Sequence, residues 1–381
     1  MIMIYPSEIT KKWPHRPLSE VVDFLDSKRK PITQKDRVPG PYPYYGANGQ
    51  QDSVADYIFD EPLVLLAEDG GHFGDADKTI AYQVEGKCWV NNHAHVLRPK
   101  KDVDIRYICR HLERYDVTPF ITGSTRGKLT KTAANNIPIA LPPLEEQRRI
   151  AAILDKADGV RRKRKEAIRL TEELLKSTFL EMFGDPVTNP KGWEKIKLGN
   201  LCTIVRGGSP RPINDYLGGS IPWIKIGDAT EGDDIYIYKT AEAIKPDGVK
   251  KSRYLEPGSL IFANCGVSLG FARILKIAGC IHDGWLAFSD LDKSINQIFL
   301  LKLLNSITEH FRAIAPDGTQ PNLNTTIMKN FEIPVPPIDL QEKFAVVSHY
   351  LTDSIKKNSE MFEQSENLFN SLLQRAFRGE L

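Results

Sequence analysis

The stretch from Asn136 to Pro186 decides how this chain is organised: NIPIALPPLEEQRRIAAILDKADGVRRKRKEAIRLTEELLKSTFLEMFGDP. Pro142-Pro143 end a preceding strand. A helical pattern of about 40 residues follows. It stops at Gly184, with Pro186 close behind. A glycine after the last periodic residue and a proline shortly beyond it are the usual signals of a helix end. The stretch therefore predicts one very long helix.

The same stretch occurs a second time at the C-terminus. Pro336-Pro337 match Pro142-Pro143 at an offset of 194 (336 − 142), and this offset aligns the residues that follow without a gap. In both copies apolar residues recur every three or four positions, which is the pattern of helices that pack along their length. We predict that the two helices pair through Ile150, Ile153, Ala157, Ile168, Leu174, Leu175, Phe344, Val347, Leu351, Phe362, Leu368 and Phe369.

The length of these helices predicts a spacer. About 39 residues at ~1.5 Å each make a rod of roughly 58 Å, which is more than a small domain can bury. Two such helices lying antiparallel would form a coiled-coil spacer between two globular parts, related by an approximate two-fold axis. The predicted segments are globular domains at 1–143 and 185–337 and long helices at 144–184 and 338–381.

Each globular segment carries many short strand-like runs and a helix near its end, so the predicted fold class is α+β with two pseudo-symmetric domains. Trp193 and Leu198 match Trp13 and Leu18 at an offset of 180, so the second segment has gained 14 residues (194 − 180). Gly40–Gln50 is interpreted as an aromatic, turn-rich stretch. Strands are predicted at 57–59, 63–67, 79–84, 89–90, 95–97, 137–141, 259–263 and 271–275, and helices at 105–114 and 296–314.

Composition excludes several classes of protein. The 381 residues carry a net charge of +2, so any basic surface must be local. The five cysteines are scattered without metal spacing, which indicates reduced thiols and a cytoplasmic protein. The N-terminus lacks the apolar core of a signal peptide, and no apolar run is long enough to cross a bilayer. We therefore expect a cytoplasmic chain with no membrane contact.

A search for catalytic chemistry finds no complete motif. Gly123–Leu129 resembles a phosphate loop, but its glycines are four apart and Leu129 stands where Ser or Thr must reach magnesium. His93 and His95 lack a partner at metal-ligand spacing. We therefore predict no catalytic residue, no metal and no cofactor in this chain.

Local charge points to nucleic acid. Between Asp116 and Glu145 there is no acidic residue, and the matching stretch 318–331 is also free of acids. Arg and Lys neutralise phosphates, while Asn, Gln and Arg can pair with base edges. For any single residue the alternative is an ordinary polar loop or a core tyrosine. The predicted DNA-binding residues are Tyr44, Tyr45, Asn48, Arg126, Lys128, Lys131, Arg206, Arg211, Lys225, Gln320, Asn322 and Asn324.

The chain resembles the specificity subunit of a type I restriction–modification system. The resemblance is most specific in IPIALPPLEEQRRIAAILD and its second copy IPVPPIDLQEKFAVV, and weaker in GPYPYYGANG, GSTRGKL and PWIKIGD. It implies that each globular segment is a target recognition domain reading one half of an asymmetric, bipartite site in double-stranded DNA. The helices would set the gap and bind the partners. Base-reading residues do not carry over by motif.

The resemblance also implies partners: two adenine methyltransferase subunits, which hold S-adenosylmethionine, and restriction subunits that use ATP and magnesium. The second copy departs from the first, since Glu146 has no acidic counterpart there, so we expect the two partner-binding ends to differ in strength. The alternative function is a nuclease or fused restriction enzyme with an unrecognised catalytic site. A purely structural coiled-coil protein is disfavoured because the helices make up only about a fifth of the chain.

Overall fold

The computed structural model describes residues 3–10, 12–75, 77–123, 127–229, 235–266, 268–315 and 322–381. The chain divides into two compact units, Met1–Lys165 with Glu360–Leu381, and Glu166–Ser359. Each unit combines one globular segment with half of each long helix. This grouping does not follow the four predicted segments, whose boundaries stay a prediction.

The elements of the first unit are β1 (His15–Pro17), α1 (Leu18–Val21), β2 (Val22–Phe24), β3 (Pro39–Gly46), β4 (Gly49–Val54), β5 (Phe59–Asp60), β6 (Leu63–Ala67), β7 (Ala81–Val84), β8 (Lys87–Val90), β9 (Ala94–Pro99), α2 (Ile105–Leu112), α3 (Lys131–Asn135), β10 (Pro138–Ala140) and the start of α4 (Leu144–Phe183). Its strands form three sheets: one has the order β2, β9, β6 and β7, another has the order β4, β3, β8 and β5, and β1 pairs with β10.

The apolar run LVLLA explains why β6 is central. All five of its residues are buried, as expected for a strand covered on both faces. The stretch Gly40–Gln50 differs from the prediction, because most of it forms β3 and the start of β4 rather than turns alone. Alternating burial along this hairpin places Tyr44 in the interior.

The second unit repeats this plan. Its elements are β11 (Lys195–Lys197), α5 (Leu198–Leu201), β12 (Thr203–Arg206), β13 (Leu217–Ile224), β14 (Tyr236–Ile237), β15 (Glu242–Ile244), α6 (Pro246–Val249), β16 (Arg253–Leu255), β17 (Leu260–Ala263), β18 (Ala272–Leu275), β19 (Gly279–Ile281), β20 (Trp285–Ser289), α7 (Gln297–Ser306), α8 (Thr308–Ile314), α9 (Thr325–Asn330), β21 (Glu332–Pro334) and the start of α10 (Ile338–Phe377). One sheet has the order β12, β20, β17, β18 and β14, another has the order β15, β13, β19 and β16, and β11 pairs with β21.

The predicted helix at 296–314 is broken in two. Ile307 leaves the helical region, with φ −111° and ψ 22°. The next residue, Thr308, donates from its hydroxyl to the carbonyl of Gly270 at 2.6 Å. The break therefore ties the start of α8 to the turn before β18.

The two long helices confirm the central prediction. α4 and α10 are 40 residues each, and Gly184, with φ 79°, ends the first. In the first unit Arg149 donates to the carbonyl of Leu381 at 2.8 Å, and Arg161 pairs with Glu366 at 2.6 Å. Residue numbers thus fall along α10 as they rise along α4, so the helices run antiparallel. The fold class is α+β with two domains and two long helices, as predicted.

Three of the twelve predicted pairing residues are exposed. Leu174 is 52% exposed, Leu368 57% and Val347 38%. Their assignment to the seam, the buried face along which the two long helices pack, is therefore wrong. Consecutive residues of a helix lie 100° apart, and the seam takes Leu175, Phe369 and Ser348 instead. Of the rest, five are buried and four half-buried: Ile150, Leu175, Phe344, Leu351 and Phe369, and Ile153, Ala157, Ile168 and Phe362.

Candidate nucleic-acid interface

In the first unit three segments meet at the carboxyl end of β6. Glu68, the residue after β6, donates its backbone N–H to the carbonyl of His93 at 2.8 Å. Its own carbonyl accepts from the backbone N–H of Leu129 at 2.7 Å. The loop after β6, the residues before β9 and residues 127–130 before α3 therefore share one edge, which carries the predicted Lys128. We call residues 127–130 the closing segment of this unit, and residues 322–324, before α9, the closing segment of the second unit.

Lys128 lies above a buried group of charges. Its side chain is 47% exposed, and its Nζ is 3.0 Å from Glu68 Oε1. Glu68 Oε2 also pairs with Arg29 at 2.6 Å, and Arg29 pairs with Asp26 at 3.3 Å. Burial raises the pKa of Asp26, but the hydrogen bond from His95 and nearby charges outweigh it and hold that pKa below its usual value. The edge is thus fixed from beneath by charge pairs.

The same group contains metal-ligand chemistry. Asp26, Glu68 and His95 present ligand atoms within 4.8 Å of one another. The guanidinium of Arg29 already bridges both carboxylates, and the His95 ring nitrogens contact Asp26 at 2.6 Å and the Leu129 carbonyl at 2.8 Å. Protein groups therefore already satisfy these side chains.

The β3–β4 hairpin reaches the same loop. Asn48 in its turn is exposed, and its side-chain amide donates to the carbonyl of Gly70 at 2.9 Å. Tyr45 is half-buried beside Tyr82, with ring centroids 5.9 Å apart. An open cavity of about 430 Å³ lies next to the loop, lined by Gly70, Gly71, Phe73, Thr118, Ile121 and Gly127.

The structure contradicts the predicted DNA contact of Tyr44. It is only 1% exposed, its ring lies 4.3 Å from the guanidinium of Arg37, and its hydroxyl accepts from the backbone N–H of Ile32 at 3.0 Å. A side chain held in this way is part of the core, so the prediction that it contacts DNA is wrong. Lys131 is exposed at the first position of α3, with its Nζ 5.5 Å from the Phe24 ring. Arg126 and Gln320 lie outside the described residues.

In the second unit the predicted arginines gather around Asp283. Arg206 Nε donates to the Asp283 carbonyl at 2.9 Å, and the exposed Arg211 lies 3.5 Å from its carboxylate. Ser209 donates to the same carboxylate at 2.6 Å. Burial raises the pKa of Asp283, but the Ser209 hydrogen bond and the charges of His282 and the arginines outweigh it and hold that pKa below its usual value.

Gly207 lets this cluster form. A Cβ on Gly207 would lie 2.2 Å from the carbonyl oxygen of His282. Only glycine therefore allows the chain after β12 to run so close to the segment before β20. That close approach brings Arg206 and Arg211 to Asp283.

The remaining predicted residues of this unit have defined partners. Lys225 pairs with Glu242, and the side chain of Asn322 accepts from Asn264 at 3.1 Å. Asn324 is the N-cap of α9 and accepts from the backbone N–H of Ile327 at 2.9 Å. Burial lowers the pKa of His282, which pairs with Asp283, and the charge of Lys225 acts in the same direction, so Lys225 lies near the Asp283 cluster although its ion pair is with Glu242.

Sequence reasoning missed the residues that hold the predicted ones in place, namely Glu68, Asn264 and Asp283. The sequence contains a signal for two of these residues, Glu68 and Asn264. Glu68 directly follows the buried run Leu63–Ala67, and Asn264 directly follows the buried run Leu260–Ala263. A polar residue that ends a fully apolar strand in both copies of a repeat indicates a repeated polar edge.

The helix seams of the two units differ in chemistry. In the first, Arg110 pairs with Asp158 at 2.9 Å and Arg161 with Glu366 at 2.6 Å. The guanidiniums of Arg110, Arg114 and Arg161 lie 5.0–5.6 Å from the ring of Phe369. In the second unit the seam is aromatic: Phe179, Phe183, Phe299 and Phe344 have neighbouring ring centroids 4.7–5.9 Å apart.

A duplicated α+β fold with the same polar edge in each copy defines a two-domain binding protein. Residues 10–170 and 190–361 match the family model described as the type I restriction modification DNA specificity domain. The chain belongs to this family.

Relatives and solved structures agree. A Haemophilus influenzae protein assigned as a type I restriction enzyme specificity subunit is 28% identical, over 94% of both chains. The MjaVIII specificity subunit of Methanocaldococcus jannaschii is 22% identical, over 96% of this chain and 92% of that one. The crystal structure of an S subunit from M. genitalium has a TM-score of 0.64 at 16% identity, covering 96% of both chains. A chain of another type I system has a TM-score of 0.53 at 19% identity, covering 98% and 99%.

Across the described part of the chain, no helix combines the length and the apolar character that spanning a membrane requires.

Proposed function

We propose that this chain is the DNA sequence-recognition subunit of a type I restriction–modification complex. The observation that carries the proposal is the repeated polar edge. In each unit the residue after a buried strand is hydrogen-bonded to the closing segment, at 2.7 Å through Leu129 and at 2.8 Å through Leu323. Each domain would read one half of a bipartite site with the side chains along its edge.

Two kinds of DNA contact fit the described side chains. Lys131, Arg206 and Arg211 are exposed cations suited to phosphates, and the exposed Lys128 can donate to a phosphate or to a base edge. Asn48, Asn322, Asn324, Tyr45 and Lys225 would contribute to base or sugar contacts. Arg126 and Gln320, which lie outside the described residues, stay predicted DNA-binding residues.

The long helices would set the gap between half-sites and bind two adenine methyltransferase subunits. Their exposed apolar residues support the second role, because large apolar side chains left in water mark interaction surfaces. These residues include Leu170, Leu174, Val346, Tyr350 and Leu368. Methyltransferase and restriction subunits would supply S-adenosylmethionine, ATP and magnesium. The chain would act on cellular DNA in the cytoplasm.

A methylation map tests the proposal. Cells that express the chain with its methyltransferase subunit should carry methylated adenines in one asymmetric, two-part sequence motif. Cells that express the methyltransferase alone should lack that motif. Magnesium-dependent cleavage of DNA by the purified chain would favour the nuclease alternative, which the family match does not support.

A further inference from the structure

One pair of side chains occupies the same place in both domains. The repeat offset of 194 aligns Lys128 with Asn322 (322 − 128). Lys128 pairs with Glu68, the residue after β6. Asn322 pairs with Asn264, the residue after β17. The two pairs are therefore equivalent in position and different in chemistry.

The backbone around the two pairs is the same. Leu129 donates to the carbonyl of Glu68 at 2.7 Å, and Leu323 donates to the carbonyl of Asn264 at 2.8 Å. In both units the backbone N–H of the inner residue, Glu68 or Asn264, is also bound, by the carbonyls of His93 and Gly284 at 2.8 and 3.0 Å. These bonds hold the closing segment to the strand end without help from the side chains.

Within each pair one member is buried and the other reaches solvent. Glu68 and Asn264 are buried. The Lys128 side chain is about half exposed, and Asn322 is partly exposed. Glu68 already has Arg29 as a buried charge partner, so it does not need Lys128 for neutralisation. The side-chain contact is therefore free to orient the outer residue.

The outer residues offer hydrogen-bond donors of different kinds. Lys128 presents an ammonium group held 3.0 Å from Glu68. In Asn322 the carbonyl oxygen is engaged by Asn264 at 3.1 Å, which leaves its NH₂ group to donate. Donors of both kinds match acceptor atoms that purines and thymine present in the major groove.

On the basis of the proposed function, we infer that Glu68–Lys128 and Asn264–Asn322 are one specificity-determining pair, present once in each domain. The buried member is a positioning residue, and the outer member contacts a base edge in the half-site read by its domain. The two domains differ at this point, so the two halves of the recognised sequence differ at the base pair that it contacts.

Exchanging the pairs between domains tests this inference. The first variant carries Glu68→Asn with Lys128→Asn, and the second carries Asn264→Glu with Asn322→Lys. Each is expressed with the methyltransferase subunit, and the methylated motif is mapped. The first should change one position in one half-site only, and the second should change one position in the other half-site only.

Single substitutions keep the inference testable if an exchanged variant fails to fold. Lys128→Met and Asn322→Ala alter partly exposed side chains and should reduce discrimination at the contacted position by roughly tenfold. Lys100→Met is the matched control, because Lys100 is exposed next to the opposite end of β9. It should leave both half-sites unchanged. Glu68→Gln, as a change to a positioning residue, should relax the same position as Lys128→Met.

The possible methylation maps of these variants lead to different conclusions. Unchanged half-site sequences in the exchanged and single variants, with a wild-type motif present, would overturn the inference and leave the proposed function standing. A uniform drop in methylation with the sequence unchanged and a weaker salt dependence would assign the outer residues to phosphates, and would also overturn it. Absence of any motif with the wild-type chain would instead overturn the proposed function.

Discussion

Gln147 and Gln341 are equivalent residues of the two repeats and make the same three hydrogen bonds. The Gln147 side chain accepts from the backbone N–H of Asp104 at 2.9 Å and donates to the carbonyls of Pro142 and Asp102 at 2.9 and 3.2 Å. Gln341 accepts from Asn296 at 2.8 Å and donates to Pro336 and Ser294 at 2.7 and 2.8 Å. Both side chains are fully buried. They fasten the first turn of each long helix to the domain before it.

Replacing Gln147 by Leu should lower the free energy of unfolding by roughly 2–4 kcal/mol. The change would leave a backbone N–H and two carbonyls without their partner in a buried place. Chemical denaturation of the purified variant measures it. Gln364→Leu, on the exposed face of α10, is the control and should change stability by less than about 0.5 kcal/mol. Equal effects of the two changes would contradict the fastening role.

Two adjacent residues of α10 test the seam of the first unit. Phe369→Ala should cost about 3–5 kcal/mol, because it empties a buried site under three guanidiniums. Leu368→Ala removes an exposed side chain and should cost less than about 0.5 kcal/mol. Urea unfolding of both variants gives the comparison. A larger loss for Leu368 would restore the original helix-pairing prediction.

Stability should fall in mild acid because of His111. Its ring is fully buried between Tyr115 and Phe377, and burial lowers its pKa to about 3. The unfolded chain binds a proton near pH 6.5 and the folded chain does not. Lowering the pH from 7.5 to 5.5 should therefore cost about 1.4 kcal/mol through this residue.

His111→Phe should remove that part of the pH dependence while keeping an aromatic ring in place. The comparison with wild type is needed because other groups titrate as well. Burial lowers the pKa of His282, which acts in the same direction, and burial raises the pKa of Glu113, which acts in the opposite one. Identical slopes of stability against pH for wild type and variant would show that folding does not change proton binding by His111.

Arg211→Ala should weaken DNA binding and lower the log–log salt slope by roughly 1, the effect of one lost phosphate contact. The side chain is 74% exposed. Lys197→Ala is the control, because Lys197 is an exposed cation on β11 in the same unit. Binding titrations of the complex at several salt concentrations measure both. If Arg211→Ala keeps the wild-type slope, the Asp283 cluster lies outside the interface.

Lengthening both helices tests their role in setting the gap. Seven residues inserted after Ala167 and seven after Met361 add ~10 Å and turn the seam by only about 20°. The gap between half-sites should grow by roughly three base pairs, at ~3.4 Å each, with both half-site sequences kept. A methylation map reads the gap. An active variant with the original gap would show that the helices do not set the distance between the half-sites.

Where the pattern of apolar residues is strong, the sequence predicts the helices and strands correctly. The bounds of α4 match the interval between Pro143 and Gly184, and the buried strand at 63–67 matches its apolar run. Both signals are local, because capping residues and burial on both faces leave a direct trace in the sequence.

The wrong predictions for Leu174 and Tyr44 have one cause. Tertiary contacts determine which of two neighbouring, chemically similar residues is buried. Leu174 and Leu175 are both leucines at acceptable spacing, but Leu175 is buried in the core cluster that contains Phe299 and Phe344, whereas Leu174 is exposed. Tyr44 and Tyr45 are likewise neighbours, and the contacts of Arg37 and Ile32 bury the first. The residues that orient the candidate site lie about 60 positions away in sequence, as Glu68 does from Lys128, so no local pattern announces them.

The two seams also have a consequence for self-association. The first half of α4 would meet a mismatched surface if it paired with α4 of a second copy. The offset of 194 places Leu175 and Lys176 where α10 has Phe369 and Asn370, so Arg114 would face a lysine in place of Asn370, its hydrogen-bond partner at 2.8 Å. A buried cation that loses its partner and meets a like charge is destabilised. Helices of equal length and similar sequence are thus made non-interchangeable. The chemistry of the seams encodes which half belongs with which, and it favours a chain that closes on itself over one that exchanges helices with its neighbours.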